Sequence, residues 1–270
     1  MALSYSQLRR YRTCPRQFEF SHVKKIPWGV SEGESFGGSV HNALKRWGEL
    51  ELGLGLGLGD RKKKKTEVRE DQLGLFVEQA VREPPALTEE KLIEIWHDCF
   101  VFDTYKTRLE ADFARKRGEN LLRQFFIWWS AAPGKVIAVE KGFSVEVDGT
   151  TITGRLDRIE QVEQGVRIVD FKTTVPCTEA QADANLQLSL YALASEQLFD
   201  KPCTELLLLF LSDEGVVERA TMRSASQLKD ARTQIKLIYE RMTAKDYRPT
   251  PSASACKWCP YRGVCDVAAI

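Results

Sequence analysis

Apolar residues recur every three or four positions in the first half of the chain, which predicts amphipathic helices. Residues 4–22 form the first such segment, Val40, Leu44 and Trp47 mark a second helix, and residues 88–131 contain longer ones. The long helices end in four aromatic residues that we expect in the core: Phe125, Phe126, Trp128 and Trp129. Residues 26–38 hold Pro27 and four glycines, so we expect a loop there.

From Val136 the hydrophobic period changes to two, which predicts a series of strands. The strands are VIAVE, FSVEV, TTITGRLDRIE and VRIVDFKT, with turns at Asp148-Gly149 and Gln164-Gly165. A helix over 179–199, strands at 204–211 and 216–222, and a helix near 224–244 follow. This order of elements predicts an α/β fold in which helices flank a mixed sheet.

The segment between the second helix and residue 88 has low complexity. Residues 52–59 read LGLGLGLG and are followed by DRKKKK. Glycine at every second position costs backbone entropy that the leucines barely offset. We interpret residues 52–65 as a mobile insertion, and its lysine run as a solvated linker rather than a nucleic-acid contact.

One predicted hairpin carries charged residues where a strand that only packs would carry Val, Ile or Leu. Side chains alternate along a strand, so Ile168, Asp170 and Lys172 share one face. Pairing around Gln164-Gly165 would bring Asp157 close to Asp170, and two adjacent carboxylates repel each other unless a cation lies between them. Oxygen ligands suit Mg²⁺ or Mn²⁺, and Lys172 would lie beside that ion. A surface Asp–Lys ion pair is the alternative interpretation.

Further motifs surround this hairpin. Upstream, FGGSVHNALKRW places His41 on a helix after a glycine loop; downstream, NLQLSLYALA places Gln187 and Tyr191 one helical turn apart. With GRLDRI, IVDFKT and the opening LSYSQLRRYRTCPRQFEF, these motifs resemble the PD-(D/E)xK nucleases of the RecB-like branch. The resemblance extends from residue 3 to residue 265 and implies a restriction-endonuclease-like core that hydrolyses phosphodiester bonds with a metal ion.

The resemblance implies a role for each matching residue. His41, Asp157, Asp170 and the backbone carbonyl of Phe171 would ligate Mg²⁺ or Mn²⁺. The catalytic residues would be Asp157, Asp170, Lys172, Gln187 and Tyr191, where Lys172 is the catalytic lysine and Gln187 and Tyr191 hold the site and the nucleic-acid strand. Glu140, in VIAVE, matches a common acidic position before the hairpin.

Three of the seven cysteines lie close together in CKWCPYRGVC. Cys256, Cys259 and Cys265 need a fourth thiol to complete a tetrahedral set. The resemblance implies Cys14, in TCPRQF, because both Cys-Pro contexts match the iron–sulfur members of the RecB-like branch. The spacing is compatible with both Zn²⁺ and a 4Fe–4S cluster. The resemblance to the AddB-type and CRISPR-associated exonucleases implies the cluster. Cys99, Cys177 and Cys203 are interpreted as ordinary thiols.

Composition narrows the functional class only a little. The net charge is +1, but residues 1–25 hold six basic side chains against Glu19 alone, a distribution suited to a phosphate backbone. No apolar run is long enough to span a membrane, and the N-terminus lacks a signal peptide, so we expect a reducing, cytoplasmic location. Disulfides are rare there, which favours free thiols or metal binding.

We therefore predict one nuclease domain over residues 1–270. Its parts are the N-terminal helices (1–50) with Cys14 and His41, a low-complexity and helical insertion (51–131), the catalytic sheet (135–222), and a C-terminal helix with the cysteine loop (223–270). The predicted function is a DNA exonuclease acting on ends or single strands, in recombination, repair or CRISPR spacer acquisition. Helicase or integrase-type proteins are the expected partners, because the sequence has no nucleotide-binding P-loop. The alternatives are a catalytically silent DNA-binding subunit and a zinc-stabilised interaction module.

Overall fold

The computed structural model describes residues 2–54, 86–131 and 134–269. The predicted insertion at 52–65 therefore lies outside the described residues, except for residues 52–54. The helices are α1 (Tyr5–Thr13), α2 (Pro15–Phe18), α3 (Glu32–Glu51), α4 (Glu89–Cys99), α5 (Arg108–Ala131), α6 (Glu179–Asp183), α7 (Leu186–Leu198), α8 (Ala225–Thr243) and α9 (Ala253–Lys257). A π-helical turn at Glu19–Val23 follows α2, and a 3₁₀ turn at Arg262–Val264 follows α9. None of the described helices is long and apolar enough to cross a bilayer.

Six strands form one mixed sheet, which confirms the predicted α/β fold class. The strands are β1 (Leu3–Ser4), β2 (Lys135–Val147), β3 (Thr150–Val162), β4 (Gly165–Lys172), β5 (Cys203–Ser212) and β6 (Gly215–Thr221). Strand β3 pairs with β1 in parallel and with β2 and β4 in antiparallel fashion. Strands β4 and β5 are parallel, joined by a crossover through α6 and α7, and β6 returns antiparallel to β5. This architecture is consistent with a restriction-endonuclease-like fold.

Helices cover both faces of the sheet because successive side chains of the central strands point to opposite sides. Ile168 on β4 belongs to a core shared with α1, α7 and α8, whereas Val169 and Phe171 belong to a second core shared with α3, α4 and α5. Phe125 lies fully buried in the second core, and the three other aromatic residues at the end of α5 pack against it. The predicted core position is therefore confirmed for Phe125, whereas the other three aromatic residues lie half-buried at the edge of this core.

Three predicted element boundaries differ from the structure. The loop predicted over 26–38 ends early, because the Ser31 side chain and Glu34 form a capping box that starts α3 at Glu32 despite the glycines. The helix predicted over 4–22 is broken at Cys14, whose backbone is extended because Pro15 follows it. The helix predicted over 179–199 is two helices, since Asn185 caps a new one through the backbone N–H groups of Gln187 and Leu188.

The two predicted hairpins form. Asp148 and Gly149 both have positive φ angles, 47° and 82°, as the two-residue turn between β2 and β3 requires. In the second hairpin Val162 pairs with Gly165, so the turn residues are Glu163 and Gln164, one position before the predicted pair. VIAVE and FSVEV are parts of the single strand β2.

A buried ion-pair network lies next to the hairpin. Arg158 and Glu160 are only 2% and 0% exposed, and Arg158 forms a bidentate pair with Glu51 at the end of α3. Arg167 on β4 donates a 2.7 Å hydrogen bond to Glu160. Removing the Arg158 guanidinium would leave the Glu51 carboxylate without this cationic partner, and breaking a buried pair in this way typically costs about 3–5 kcal/mol. The network therefore fixes α3 and β4 against the strand that carries Asp157.

Candidate active site

The predicted site residues meet where β3 and β4 separate. The last paired residues of this hairpin are Arg158 and Val169, so Asp157 and Asp170 follow directly at the point of separation. The backbone N–H of Phe171 donates a 3.0 Å hydrogen bond to Oδ2 of Asp157 in place of a strand pair. The separation of the strands thus places the two carboxylates close enough for their charges to interact.

Three side chains from different elements form a compact donor group there. One donor atom each from His41, Glu140 and Asp157 lies within 4.8 Å of the others. Nδ1 of His41, on α3, is 3.3 Å from Oδ2 of Asp157. Glu140 interrupts β2 with a left-handed backbone (φ 47°), an uncommon conformation for a residue other than glycine, and Arg155 donates a 3.1 Å hydrogen bond to its Oε2. Strained backbone of this kind clusters at functional sites.

Asp170 and Lys172 belong to a closed cycle of polar contacts. The Lys172 ammonium donates to Oε1 of Gln187 (3.1 Å), and Nε2 of Gln187 donates to the Tyr191 hydroxyl (2.6 Å). Tyr191 donates to Oδ1 of Asp170 (2.9 Å), and the Lys172 ammonium contacts Oδ2 of Asp170 as an ion pair. Gln187 and Tyr191 lie one turn apart on α7, so a single helix face fixes both charged side chains.

The electrostatics of the site indicate a deficit of positive charge. Burial, reinforced by the neighbouring charge of Asp170, raises the pKa of Asp157 well above its ordinary value. Burial lowers the pKa of His41 even though Asp170 opposes the shift, so the imidazole is neutral at pH 7 and can act as a ligand. Among the residues that the structure describes, none donates a well-directed hydrogen bond to the buried Oδ2 of Asp170, and the charged group in contact with it is the Lys172 ammonium. Carboxylate oxygens and a neutral imidazole in this arrangement fit a divalent cation.

The structure thus brings together the predicted site residues of the β3–β4 hairpin, of α3 and of α7. They are His41, Asp157, Asp170, Phe171, Lys172, Gln187 and Tyr191. The compact donor group contains Glu140, which was not in the predicted ligand set, whereas Asp170 faces Tyr191 and Lys172. The Phe171 ring packs edge-on against the His41 ring at 6.3 Å. The sequence had indicated Glu140 as an acidic position before the hairpin, but not as a ligand.

A second predicted site lies at the two ends of the described chain. One cavity is lined by Cys14, Cys256, Cys259 and Cys265. Cys14 is near the start of the chain, and the sequence of the entire sheet separates it from the other three cysteines. The other three thiols raise the pKa of Cys259, in addition to the larger effect of burial. No three of these sulfur atoms, all within the described ranges, lie within 4.8 Å of one another. Hydrogen bonds from Arg16 to Asp266 (3.1 Å) and from Thr250 to the Thr13 carbonyl (3.2 Å) hold the segments together.

Comparison with known proteins identifies the family. The model of the PD-(D/E)XK nuclease superfamily matches residues 2–266. This chain belongs to that superfamily, whose members use divalent metal ions.

Individual relatives are distant. The chain is 23% identical to the Gene 69 protein of Mycobacterium phage D29, over 98% of this chain and 96% of that protein. It is 22% identical to the Gene 69 protein of Mycobacterium phage L5, with the same coverage. A solved structure of a candidate exonuclease from Eubacterium rectale aligns over 100% of this chain and 90% of its own, with 9% identity and a TM-score of 0.49.

Proposed function

We propose that the protein is a metal-dependent DNA exonuclease that hydrolyses phosphodiester bonds at DNA ends or in single strands. The observation that carries this proposal is the cycle of Lys172, Gln187, Tyr191 and Asp170 beside the donor group of Asp157. A surface ion pair has no need of two further side chains that hold it in place. Here a lysine is fixed next to the residues suited to a divalent ion, in a member of a nuclease superfamily.

In this proposal the divalent ion is Mg²⁺ or Mn²⁺. His41, Asp157, Asp170 and the Phe171 carbonyl would hold it, and Glu140 joins this set because it completes the compact donor group. The ion supplies Lewis acidity at phosphorus and neutralises the charge that develops there.

The side chains of the chain itself have separate tasks in the reaction. Lys172 directs an N–H toward the attacking water or a phosphoryl oxygen, where negative charge develops in the transition state. Gln187 holds the ammonium in that direction, and Tyr191 holds Asp170. The water oxygen forms the new bond to phosphorus, the bond to the leaving oxygen of the DNA breaks, and that oxygen gains a proton. Such fixed geometry favours a single reactive arrangement.

The cysteine site is proposed to hold a 4Fe–4S cluster ligated by Cys14, Cys256, Cys259 and Cys265. Cysteine thiolates are ligands of both Zn²⁺ and 4Fe–4S clusters. The four thiols line a common cavity, which supports one shared centre. The resemblance of CKWCPYRGVC to the AddB-type and CRISPR-associated exonucleases favours the cluster over zinc.

We place this activity in the processing of DNA ends, as in recombination, repair or CRISPR spacer acquisition. A helicase or integrase-type partner would supply the steps that a nuclease alone does not perform, such as unwinding of the duplex. Intracellular DNA is the substrate that this role requires.

The test uses linear single-stranded, linear duplex and circular single-stranded DNA of one sequence, each with Mg²⁺, Mn²⁺ or EDTA. We expect the purified protein to degrade linear DNA only with metal and to leave the circle intact. Cutting of the circle would indicate an endonuclease instead. Metal-independent binding of linear DNA without any cleavage would indicate a catalytically silent DNA-binding protein.

A further inference from the structure

A groove outside the catalytic centre combines exposed tryptophan rings with arginines. It lies between α1, the segment before α3 and the cysteine-bearing segment after α9. The side chains that matter for its chemistry are Arg9, Arg10, Trp28, Glu34 and Trp258. None of these residues has a part in the proposed hydrolysis.

Both tryptophans offer flat surfaces at this groove. Trp258 is 80% exposed, and its neighbours Cys256 and Cys259 both line the proposed cluster cavity. Its backbone N–H bonds to the Cys256 carbonyl, so the segment that carries the ring is ordered. Trp28 is 38% exposed, and the Arg10 guanidinium lies over its ring at 4.5 Å. A guanidinium on an indole forms a cationic stacking platform, and nucleic-acid bases stack on both kinds of surface.

The charge of the groove is complementary to a phosphate backbone. Arg9 and Arg10 stand on the same wall, and the acidic residue opposite them is Glu34. The Glu34 carboxylate is engaged by its own helix cap, since it accepts hydrogen bonds from the Ser31 backbone N–H (2.9 Å) and hydroxyl (2.8 Å). Two guanidinium groups and one carboxylate leave the described lining of this groove with a net positive charge.

The groove is continuous with a second one that ends beside the catalytic lysine. Arg9 and Glu34 line both grooves, and the second also contains Thr173 and Thr174, which directly follow Lys172. Tyr5, at the start of α1, is also close enough to the site that the charges of Lys172 and Asp170 act on its hydroxyl. The second groove is lined by Glu32, Glu34 and Glu110 together with Arg9 and Arg117, so the positively charged part of the path is the first groove.

We infer that Trp258, Trp28 and the two arginines form a binding track for single-stranded DNA. Duplex DNA keeps its bases stacked inside the helix, whereas a single strand presents base faces to aromatic side chains. This inference rests on the proposed function for the statement that bound DNA is a substrate. It also predicts that the cysteine site supports DNA binding, because Trp258 is positioned by the segment between Cys256 and Cys259.

The test measures binding without cleavage, by anisotropy of a labelled oligothymidylate of about 15 nucleotides in EDTA. We expect Trp258→Ala and Trp28→Ala each to raise the Kd roughly tenfold, and Trp258→Phe to retain most of the affinity. Phe102→Ala is the matched control, because Phe102 is 45% exposed but lies outside both grooves. Arg10→Gln should weaken binding and reduce the slope of log K against log salt by about 0.7.

Three results would overturn the inference: unchanged affinity in both Trp→Ala variants, an equal loss in Trp258→Phe, or tighter binding of duplex DNA or of RNA of the same sequence. An equal loss in Trp258→Phe would show that the ring packs the cysteine segment instead of stacking on bases. If the variants show the expected changes in affinity but the protein does not hydrolyse DNA with metal, the nuclease proposal is wrong and the binding track is still supported. The two claims therefore fail separately.

Discussion

The Tyr191 hydroxyl donates a 2.9 Å hydrogen bond to Oδ1 of Asp170, so a helix on one face of the sheet fixes a carboxylate at the end of a central strand. Burial, and then the charge of Asp170, raise the pKa of Tyr191 well above its ordinary value, which keeps the phenol protonated as a donor. The same phenol accepts from Gln187, which in turn holds Lys172. The position of Lys172 thus depends on Tyr191, which acts on it through Gln187 and Asp170.

Tyr191→Phe should lower kcat about tenfold and leave KM for DNA nearly unchanged. A hydrogen bond to a charged group contributes about 1.5–3 kcal/mol, and its loss frees Asp170 and Gln187 to reorient. Tyr11→Phe is the matched control, because the buried Tyr11 hydroxyl also donates a hydrogen bond, to the Asp246 carbonyl, but away from the site. Steady-state kinetics of both variants, with their melting temperatures, separate the two effects. Equal kcat values for Tyr191→Phe and Tyr11→Phe would contradict the positioning role.

Asp157→Asn should raise the melting temperature of the metal-free protein near pH 7 by about 3 °C. The wild-type carboxylate is buried beside Asp170, and its raised pKa means that folding opposes its ionisation. The asparagine oxygen can still accept the hydrogen bond from the Phe171 N–H. The same substitution should abolish the stabilisation that Mn²⁺ gives to the wild type. A metal-free variant less stable than the wild type at pH 7 would count against this account.

The pH dependence follows from the sign of the same shift. A carboxyl whose pKa is raised on folding binds more protons in the native state, so metal-free stability should fall as pH rises from the unfolded pKa through the raised folded value. Asp246 provides the opposite case, because hydrogen bonds from Arg248 lower its pKa and its contribution is lost as pH falls. Between pH 4 and pH 8 the advantage of Asp157→Asn over wild type should therefore grow with pH, whereas Asp246→Asn should show a constant deficit. The deficit of Asp246→Asn should shrink only in melts below pH 4, where the wild-type carboxylate begins to bind protons.

His41→Ala and Glu140→Gln should each weaken Mn²⁺ binding by about one order of magnitude while changing the melting temperature of the metal-free protein little. Both side chains are at the cleft edge, and both belong to the compact donor group. Loss of the imidazole should weaken Mn²⁺ more than Mg²⁺, because nitrogen ligands suit the transition metal better. Calorimetric titration measures both ions. A large fall in metal-free stability with unchanged Mn²⁺ affinity would assign a structural role to His41.

Anaerobically purified protein should be brown and contain iron and sulfide in equal amounts. Replacing Cys14, Cys256, Cys259 or Cys265 by serine should remove the colour and lower stability, because these residues join the two ends of the described chain. Cys177→Ser and Cys203→Ser are the controls, since both thiols are half-buried and lie outside that cavity. Colourless anaerobic protein with one equivalent of zinc would refute the cluster and leave the nuclease proposal untouched.

The fold was predictable where local pattern and tertiary packing agree. Alternation of apolar residues located β2, β3 and β4, and the Asp148-Gly149 turn set the hairpin between β2 and β3. The start of α3 was missed because glycine content outweighed the capping box of Ser31 and Glu34 in the interpretation of residues 26–38. Packing of Phe36 in the core stabilises that first turn, and such tertiary contributions are not visible in composition.

The candidate site was predictable as far as residues cluster in sequence motifs. Asp157, Asp170 and Lys172 follow from strand alternation and hairpin pairing. The sequence indicated Glu140 as an acidic position before the hairpin, but its place in the donor group with His41 and Asp157 emerges only from the structure. The two tryptophans of the DNA track lie far apart in the chain, and only the three-dimensional structure brings them to one groove.

The most direct test of the central claim compares DNA cleavage by wild type, Lys172→Ala and Lys201→Ala. Lys201 is an exposed lysine whose ammonium bonds Gln161, away from the donor group, so its loss controls for the removal of one positive charge. Initial rates on end-labelled linear DNA with Mn²⁺ are measured together with Mn²⁺ and DNA affinities. We predict no detectable cleavage by Lys172→Ala, wild-type rates for Lys201→Ala, and retained Mn²⁺ and DNA binding in both. Cleavage by Lys172→Ala at the wild-type rate would contradict the account.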